Sequence, residues 1–258
     1  MATVLKLGGE LLEDAAAIRA AAAAIVRLAG REPLVVVHGG GRSIDAELKV
    51  RGLTPRFADG LRITDGATLE SVVAVLAGRT NTALVAAIGA LGAKAVGLTG
   101  ADARIGLAVK AAPLATVTGD HVDLGLVGEP RGGDVSLVSD LLRLDYVPVI
   151  ASVGVADDGT LLNVNADTFA AHLAASLRAR RLLVAGTTPG VLDGAGATIA
   201  QLTETEVAQL TASGTAHSGM VAKLRACRQA RTGGVTEVAI VAGRGVEDFD
   251  SAIGTRVN

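Results

Sequence analysis

Short runs of branched apolar residues alternate along the chain with longer Ala- and Leu-rich stretches whose apolar positions recur at helical spacing. The runs at 3–7, 33–38, 94–99, 147–152, 181–186 and 237–243 predict strands. The longer stretches predict helices over about 14–29, 42–51, 66–91 with a break near Gly78, 134–144, and 219–232. Another helix starts at Asp167, which stands where an N-cap would. A further helix follows Thr203, which has capping-box spacing to Glu206, and Gly30 is placed to end the first one. Residues 56–64 predict a hairpin turning at Asp59-Gly60, and residues 105–130 alternate short β runs with turn residues, the pattern of an antiparallel patch.

This alternation predicts an α/β fold: a mostly parallel central sheet, helices on both faces and a small antiparallel patch. The 258 residues suffice for one large domain, and no Pro/Ser-rich linker divides them. Glycine-bearing loops flank residues 150–160, the expected boundary between a lobe over about 1–155 and a second over about 156–258. Half of the residues are hydrophobic but only 2% aromatic, so the core is aliphatic, as suits a covered parallel sheet.

Charge and cysteine content narrow the function. Lys+Arg is 24 against 26 Asp+Glu, and neither a basic excess nor stacking aromatics points to nucleic acid. Cys227 is a single cysteine, which excludes an internal disulfide and fits a reducing compartment. His38, His121, His172 and His217 are too scattered to suggest a zinc site. The N-terminal stretch lacks the basic-then-apolar order of a signal peptide, and the Ala-rich run after it is too short and too charged for a bilayer. The expectation is a soluble cytoplasmic protein without membrane or nucleic-acid partners.

Two glycine loops at strand ends carry the chemistry. In "KLGG" (6–9), Lys6 precedes two glycines, a fixed cation beside exposed backbone N–H groups, a combination suited to phosphate. In "VHGGG" (37–41), three glycines join a strand to a helix start, where unpaired N–H groups and the helix dipole favour an anion. A tight turn alone needs fewer glycines; three in a row indicate close approach by a ligand. In one parallel sheet, two such loops can converge on one crevice. No Gly-Lys pair supports a Walker P-loop, the dinucleotide fingerprint is incomplete, and no Gly-x-Ser-x-Gly supports a hydrolase elbow. Arg62 in "DGLRITD", Asp167 in "NVNAD" and Lys223 in "HSGMVAKLRA" each have an ordinary reading as an exposed arginine, a helix cap and a surface lysine.

Taken in order, "KLGG", "VHGGG", "GLRITD", "DLGLVGE", "NVNAD", "GMVAK" and a C-terminal "GTRV" resemble the N-acetylglutamate kinases of the amino-acid kinase superfamily, from Lys6 to Val257. The resemblance implies an αβα sandwich that transfers the γ-phosphoryl group of ATP to the side-chain carboxylate of N-acetyl-L-glutamate, a step of arginine biosynthesis. It implies that Lys6 and Lys223 stabilise the transferring group, with Asp167 orienting both. Gly8, Gly9 and Gly39 would meet phosphates, Gly40 and Gly41 the acceptor, and Arg62 and Asn163 its α-carboxylate. Thr187, Gly190, Val191, Leu192, Thr215 and His217 would line the nucleotide. ATP serves as co-substrate, with Mg2+ carried on its phosphates and no residue assigned as a metal ligand. Thr187 stands where the family carries an aspartate, and Ala103 where glycine is common. The chain begins directly with a strand, without the N-terminal helix of arginine-inhibited members, which implies a homodimer that arginine does not inhibit. Two other readings stay open: a kinase of carrier-linked aminoadipate or glutamate, and a nucleotide-binding regulatory member with weak catalysis.

Overall fold

The structure, a computed structural model, describes residues 1–116, 119–212 and 218–258. The elements in chain order are β1 (Thr3–Leu7), α1 (Ala15–Ala29), β2 (Leu34–His38), α2 (Gly41–Val50), β3 (Phe57–Ala58), β4 (Leu61–Arg62) and α3 (Gly66–Val73). A π-helical segment, Ala74–Thr80, leads without interruption into α4 (Asn81–Ala90). Then come β5 (Lys94–Thr99), β6 (Leu107–Lys110), β7 (Leu114–Ala115), β8 (His121–Val122), β9 (Val127–Gly132), α5 (Ser136–Arg143), β10 (Tyr146–Ala151), β11 (Val153–Val155) and β12 (Leu161–Val164). The chain ends with α6 (Ala166–Ser176), β13 (Arg181–Gly186), β14 (Gln201–Leu202), α7 (Glu204–Ala212), α8 (Ser218–Thr232), β15 (Glu237–Ala242) and β16 (Gly254–Val257).

The main sheet has the order β14-β16-β15-β13-β1-β2-β10-β5. From β15 to β5 every pairing is parallel, and β16 joins that edge antiparallel. The six apolar runs of the sequence are the parallel strands. β1 lies between β2 and β13, so the two halves of the chain share one sheet.

Strand alternation sends successive side chains to opposite faces. Leu5, Leu7, Val36 and Val149 pack with Ile25 and Leu28 of α1 and with Leu84 and Ile88 of α4. Val4, Val37, Ile150, Leu182 and Val184 pack on the other face with Phe169, Leu173, Leu224 and Cys227 of α6 and α8. The result is the expected αβα sandwich, and it places Lys6 on the α6/α8 face.

The antiparallel patch is a closed four-stranded barrel, β11-β12-β9-β6, with the β7–β8 hairpin beside it. Sequence patterning shows β6 to β9 but not β11 and β12. Those two are short, and the first is interrupted by Gly154, so period-two alternation has no length in which to show. The Asp59-Gly60 hairpin forms, both residues adopting positive φ (43° and 80°). The Thr203–Glu206 capping box forms reciprocally. The break expected near Gly78 is instead the π-helical segment, so the helix runs unbroken from 66 to 90. Asp167 does not cap its helix. Asn165 does, its side chain accepting from the N–H groups of Asp167 and Thr168, and this frees the Asp167 carboxylate for another partner.

Candidate active site

Both glycine loops leave the carboxyl ends of neighbouring parallel strands, and they meet. A Cβ on Gly9 would lie 2.5 Å from Gly40 Cα and 2.9 Å from the N atoms of Gly40 and Gly41. A Cβ on Gly40 would lie 2.7 Å from Leu76 of the π-helical segment. Only backbone fits between these loops. The N–H of Gly8 donates to Ala185 O and that of Gly39 to Leu7 O, each continuing a strand ladder. Gly40 caps α2 and Gly41 is its first residue, so the amino end of α2 opens at this junction.

Lys6 and Asp167 form an ion pair on the α6/α8 face of the sheet. Nζ lies 2.7 Å from Oδ1, and the side chains are 6% and 8% exposed. The contact is a charge pairing rather than an aligned hydrogen bond, and Oδ1 has no other partner. Two buried charges persist only when paired, and the remaining Lys6 donors face a cleft where an anion can join them.

Lys223 approaches from α8. Its Cε lies 3.4 Å from where a Cβ on Gly186 would stand, at the carboxyl end of β13 beside β1. Buried Cys227, one turn further along α8, senses all three groups. Burial pushes its thiol up, Asp167 adds to the rise, and Lys223 and Lys6 oppose it. Lys6 thus lies near the carboxyl end of β1 and Lys223 beside that of the adjacent β13.

The cleft beside Lys6 encloses about 240 Å³, with Gly9, Gly39, Gly40, Gly41, Arg62, Asn163 and Asp167 on its wall. Arg62 comes from the β3–β4 hairpin and is 9% exposed. It donates to Asp45 Oδ1 at 2.7 Å and to Gly41 O at 3.2 Å, and its guanidinium lies 4.7 Å from the Phe57 ring centroid. Carboxylate, carbonyl and ring together fix the plane of the fork. Asn163 donates to Thr64 Oγ1 at 3.0 Å. Thr64 in turn is clamped to 124–126: its N–H donates to Leu124 O and its carbonyl accepts from Leu126. Gly125 (φ 73°) is required there, because a Cβ would lie 2.3 Å from Thr64 O. This explains the first glycine of "DLGLVGE".

Of the residues expected to line the nucleotide, Thr187 is exposed just beyond Gly186. Gly190 (φ 104°) packs on Thr255, and Val191 is buried in the core with its N–H donating to Thr255 Oγ1 at 2.8 Å. Those two dock the loop on β16, which accounts for "GTRV". Leu192 is 42% exposed. Thr215 and His217 lie outside the described residues.

Sequence reasoning missed His38 as a part of the site's frame. It is fully buried; Nε2 lies 3.1 Å from Asn81 Nδ2, and Nδ1 3.2 Å from Gly39 O. Asn81 also donates to Val149 O at 2.9 Å. An amide that donates to both assigns Nε2 as acceptor and Nδ1–H as donor, so a neutral ring holds the Gly39 carbonyl. Burial lowers the His38 pKa from 6.5 to about 4. The available signal was a histidine closing an otherwise apolar strand directly before the glycines.

The fold and the site together define a class. The sequence matches the Amino acid kinase family over residues 1–242, and the chain belongs to that family. Within it, the chain is similar to acetylglutamate kinases. That of Bradyrhizobium sp. (strain BTAi1) is 42% identical over 247 residues, 93% of this chain and 83% of the relative. That of Symbiobacterium thermophilum is 39% identical over 93% of this chain and 84% of the relative. Among solved structures, N-acetylglutamate synthase from Neisseria gonorrhoeae, complexed with coenzyme A and N-acetyl-glutamate, shares the fold (TM-score 0.83, 24% identity, 99% of this chain and 59% of that one). So does Giardia carbamate kinase (TM-score 0.71, 15% identity, 99% and 98%).

Two outcomes follow from this geometry. Gly9→Ala forces the glycine loops apart and lowers both stability and activity, whereas Gly41→Ala meets no atom within 4 Å and folds normally. Its melting temperature is expected to stay unchanged. His38 is neutral when folded and gains a proton more readily when unfolded, so stability is retained above pH 6.5 and falls as pH drops toward 4. Chemical denaturation at pH 7 and pH 5 is expected to differ by about 2 kcal/mol from this group, and His38→Gln flattens that slope.

Proposed function

We propose that this chain is an ATP-dependent phosphotransferase acting on the side-chain carboxylate of N-acetyl-L-glutamate, within amino-acid biosynthesis. The observation that carries the reading is the buried Lys6–Asp167 pair on the wall of a cleft that also holds Arg62, with Lys223 at the neighbouring strand end beside Gly186. Relatives at about 42% identity named for this activity favour it over a carrier-linked acceptor or a catalytically weak regulator.

The chemistry suits the residues. The acceptor carboxylate is ionised at neutral pH and needs no general base. One of its oxygens forms a bond to the γ-phosphorus as the bond to the β–γ bridging oxygen breaks, giving an acyl phosphate and ADP. The obstacle is the meeting of two anions, and fixed cations with exact placement answer it. Lys6 neutralises charge from the acceptor side and Lys223 from the nucleotide side, while Asp167 holds Lys6 in place. The Gly40–Gly41 start of α2 receives the reacting end of the acceptor. Arg62, with Asn163 beside it, takes its α-carboxylate in a bidentate fork. Gly8, Gly9 and Gly39 belong to the loops whose backbone would meet the phosphates, and Thr187, Gly190, Val191 and Leu192 form the loop beside the nucleotide. The lobe over about 1–155 supplies most acceptor contacts, and that over about 156–258 holds the nucleotide.

Among the described residues no group of three or more His, Cys, Asp or Glu could hold a metal ion. Mg2+ carried in on the nucleotide would neutralise part of the phosphate charge. Gly66–Ala90 is the one helix among the described residues long and apolar enough by composition to cross a membrane, but it packs on α1 and β5. Only 39% of its most apolar stretch is buried in the chain. We assign its remaining apolar face to a homodimer contact, in a cytoplasmic enzyme.

A coupled ADP-release assay is expected to show turnover with N-acetylglutamate and little with glutamate, aspartate or aminoadipate; no turnover with any of them overturns the reading. Lys223→Ala should lower kcat by about 10²–10³. Lys6→Ala should lose at least as much and also destabilise the fold, since it leaves the Asp167 carboxylate buried and unpaired. Light scattering after gel filtration should give twice the 25.7 kDa chain mass, and a monomer would remove the helix from the interface.

A further inference from the structure

Glu10 follows the first glycine loop, and the reading above gives it no part. Its carboxylate folds back over the loop. Both oxygens and the carboxyl carbon lie 2.5–2.6 Å from where a Cβ on Gly8 would stand, so the group occupies the space that glycine leaves open. Oε1 also lies 3.5 Å from the Cβ position of Gly186, the same glycine that Lys223 Cε approaches at 3.4 Å. Gly8 directly follows β1, and Gly186 ends the adjacent parallel strand β13. Gly8 also shares its strand face with Lys6, two residues before it. The carboxylate therefore sits between the two strand ends, beside Lys223, where the phosphoryl group is to pass. Glu10 is partly exposed, so the side chain can leave without disturbing the core.

We propose that Glu10 makes this crevice selective for metal-loaded nucleotide. A carboxylate at this place repels a bare triphosphate and is far less unfavourable toward one whose charge a divalent cation has halved. It also presents an oxygen to that cation, and one or two carboxylates with substrate phosphates are a usual Mg2+ environment. Gly8 is glycine for a matching reason: any side chain there would expel the carboxylate from its seat. Glu10 is thus a specificity-determining residue for the form of the nucleotide. This inference rests on the kinase reading for the position of the phosphates.

The test is ATP binding measured by calorimetry without acceptor, once with excess Mg2+ and once with EDTA, in wild type and Glu10→Gln. The wild-type chain is expected to bind Mg·ATP at least about tenfold more tightly than free ATP. Glu10→Gln should shrink that ratio about three- to tenfold, by tightening the binding of free ATP while leaving Mg·ATP unchanged or weaker. Glu10→Asp, which retracts the charge by one methylene, should fall between. An unchanged ratio in Glu10→Gln overturns the proposal. So does equal tightening with and without metal, which would make the carboxylate a simple obstacle. The readout does not involve the acceptor, so a chain that binds ATP but fails to phosphorylate N-acetylglutamate would sink the reading of the substrate and leave this one standing.

Discussion

The buried pairing of Lys6 with Asp167 is the constraint around which the site is arranged. An ammonium and a carboxylate withdrawn from water at the end of a central strand are costly, and their mutual attraction offsets that cost only if both are rigidly placed. Rigid placement comes from the backbone. β1 is flanked on both sides by parallel neighbours, and α6 starts at a position fixed by the Asn165 cap. The pair stands at the end of β1, on the wall of the cleft that opens beside it.

That opening is built by subtraction. Wherever the loops cross, a side chain is missing: at Gly9 against Gly40, at Gly40 against Leu76, at Gly125 against Thr64. Each absence lets one backbone approach another, and together they shape the cleft between Lys6 and Arg62. The polar groups that remain are held from behind. Asp45 and Phe57 fix Arg62, Thr64 fixes Asn163, and neutral His38 fixes the carbonyl of Gly39. The chain spends its rigid elements on orientation, which is what a reaction between two anions demands.

Much of this was legible in the amino-acid order. The six apolar strands read directly, because strands covered on both faces are continuous runs. Lys6, Arg62 and Lys223 were each legible only as residue types, and the expectation that they act together came from motif order and resemblance. The rest was hidden for physical reasons. β11 and β12 are too short to show a period. The Asn165 cap and the Asp167 candidate differ by two positions, and either residue type can cap a helix. Gly78 suggested a break because glycine is a weak helix former, yet the helix widened there without ending. The partners that orient site residues, Asp45, Phe57, Thr64 and Asn81, come from three separate segments, and only Thr64 lies inside one of the motifs that stand out in the sequence.

The widened turn at Ala74–Thr80 has a bearing on how this helix can change. Its closing N–H, from Asn81, reaches back to Leu76 O, five residues away. A π turn of this kind is equivalent to one residue inserted into an α-helix. Within it, Leu76 packs on the glycine loop; directly after it, Asn81 seats against His38 and Val149, in a hollow kept clear by Gly97. The extra residue is absorbed within that turn, so the helix faces before and after it keep the relation they would have in unbroken α winding. Leu76 holds its place on the glycine loop and Asn81 its place on the histidine from the two ends of one bulge. The wall of the cleft and the molecule's outer surface are thereby insulated from the residue count of this one turn.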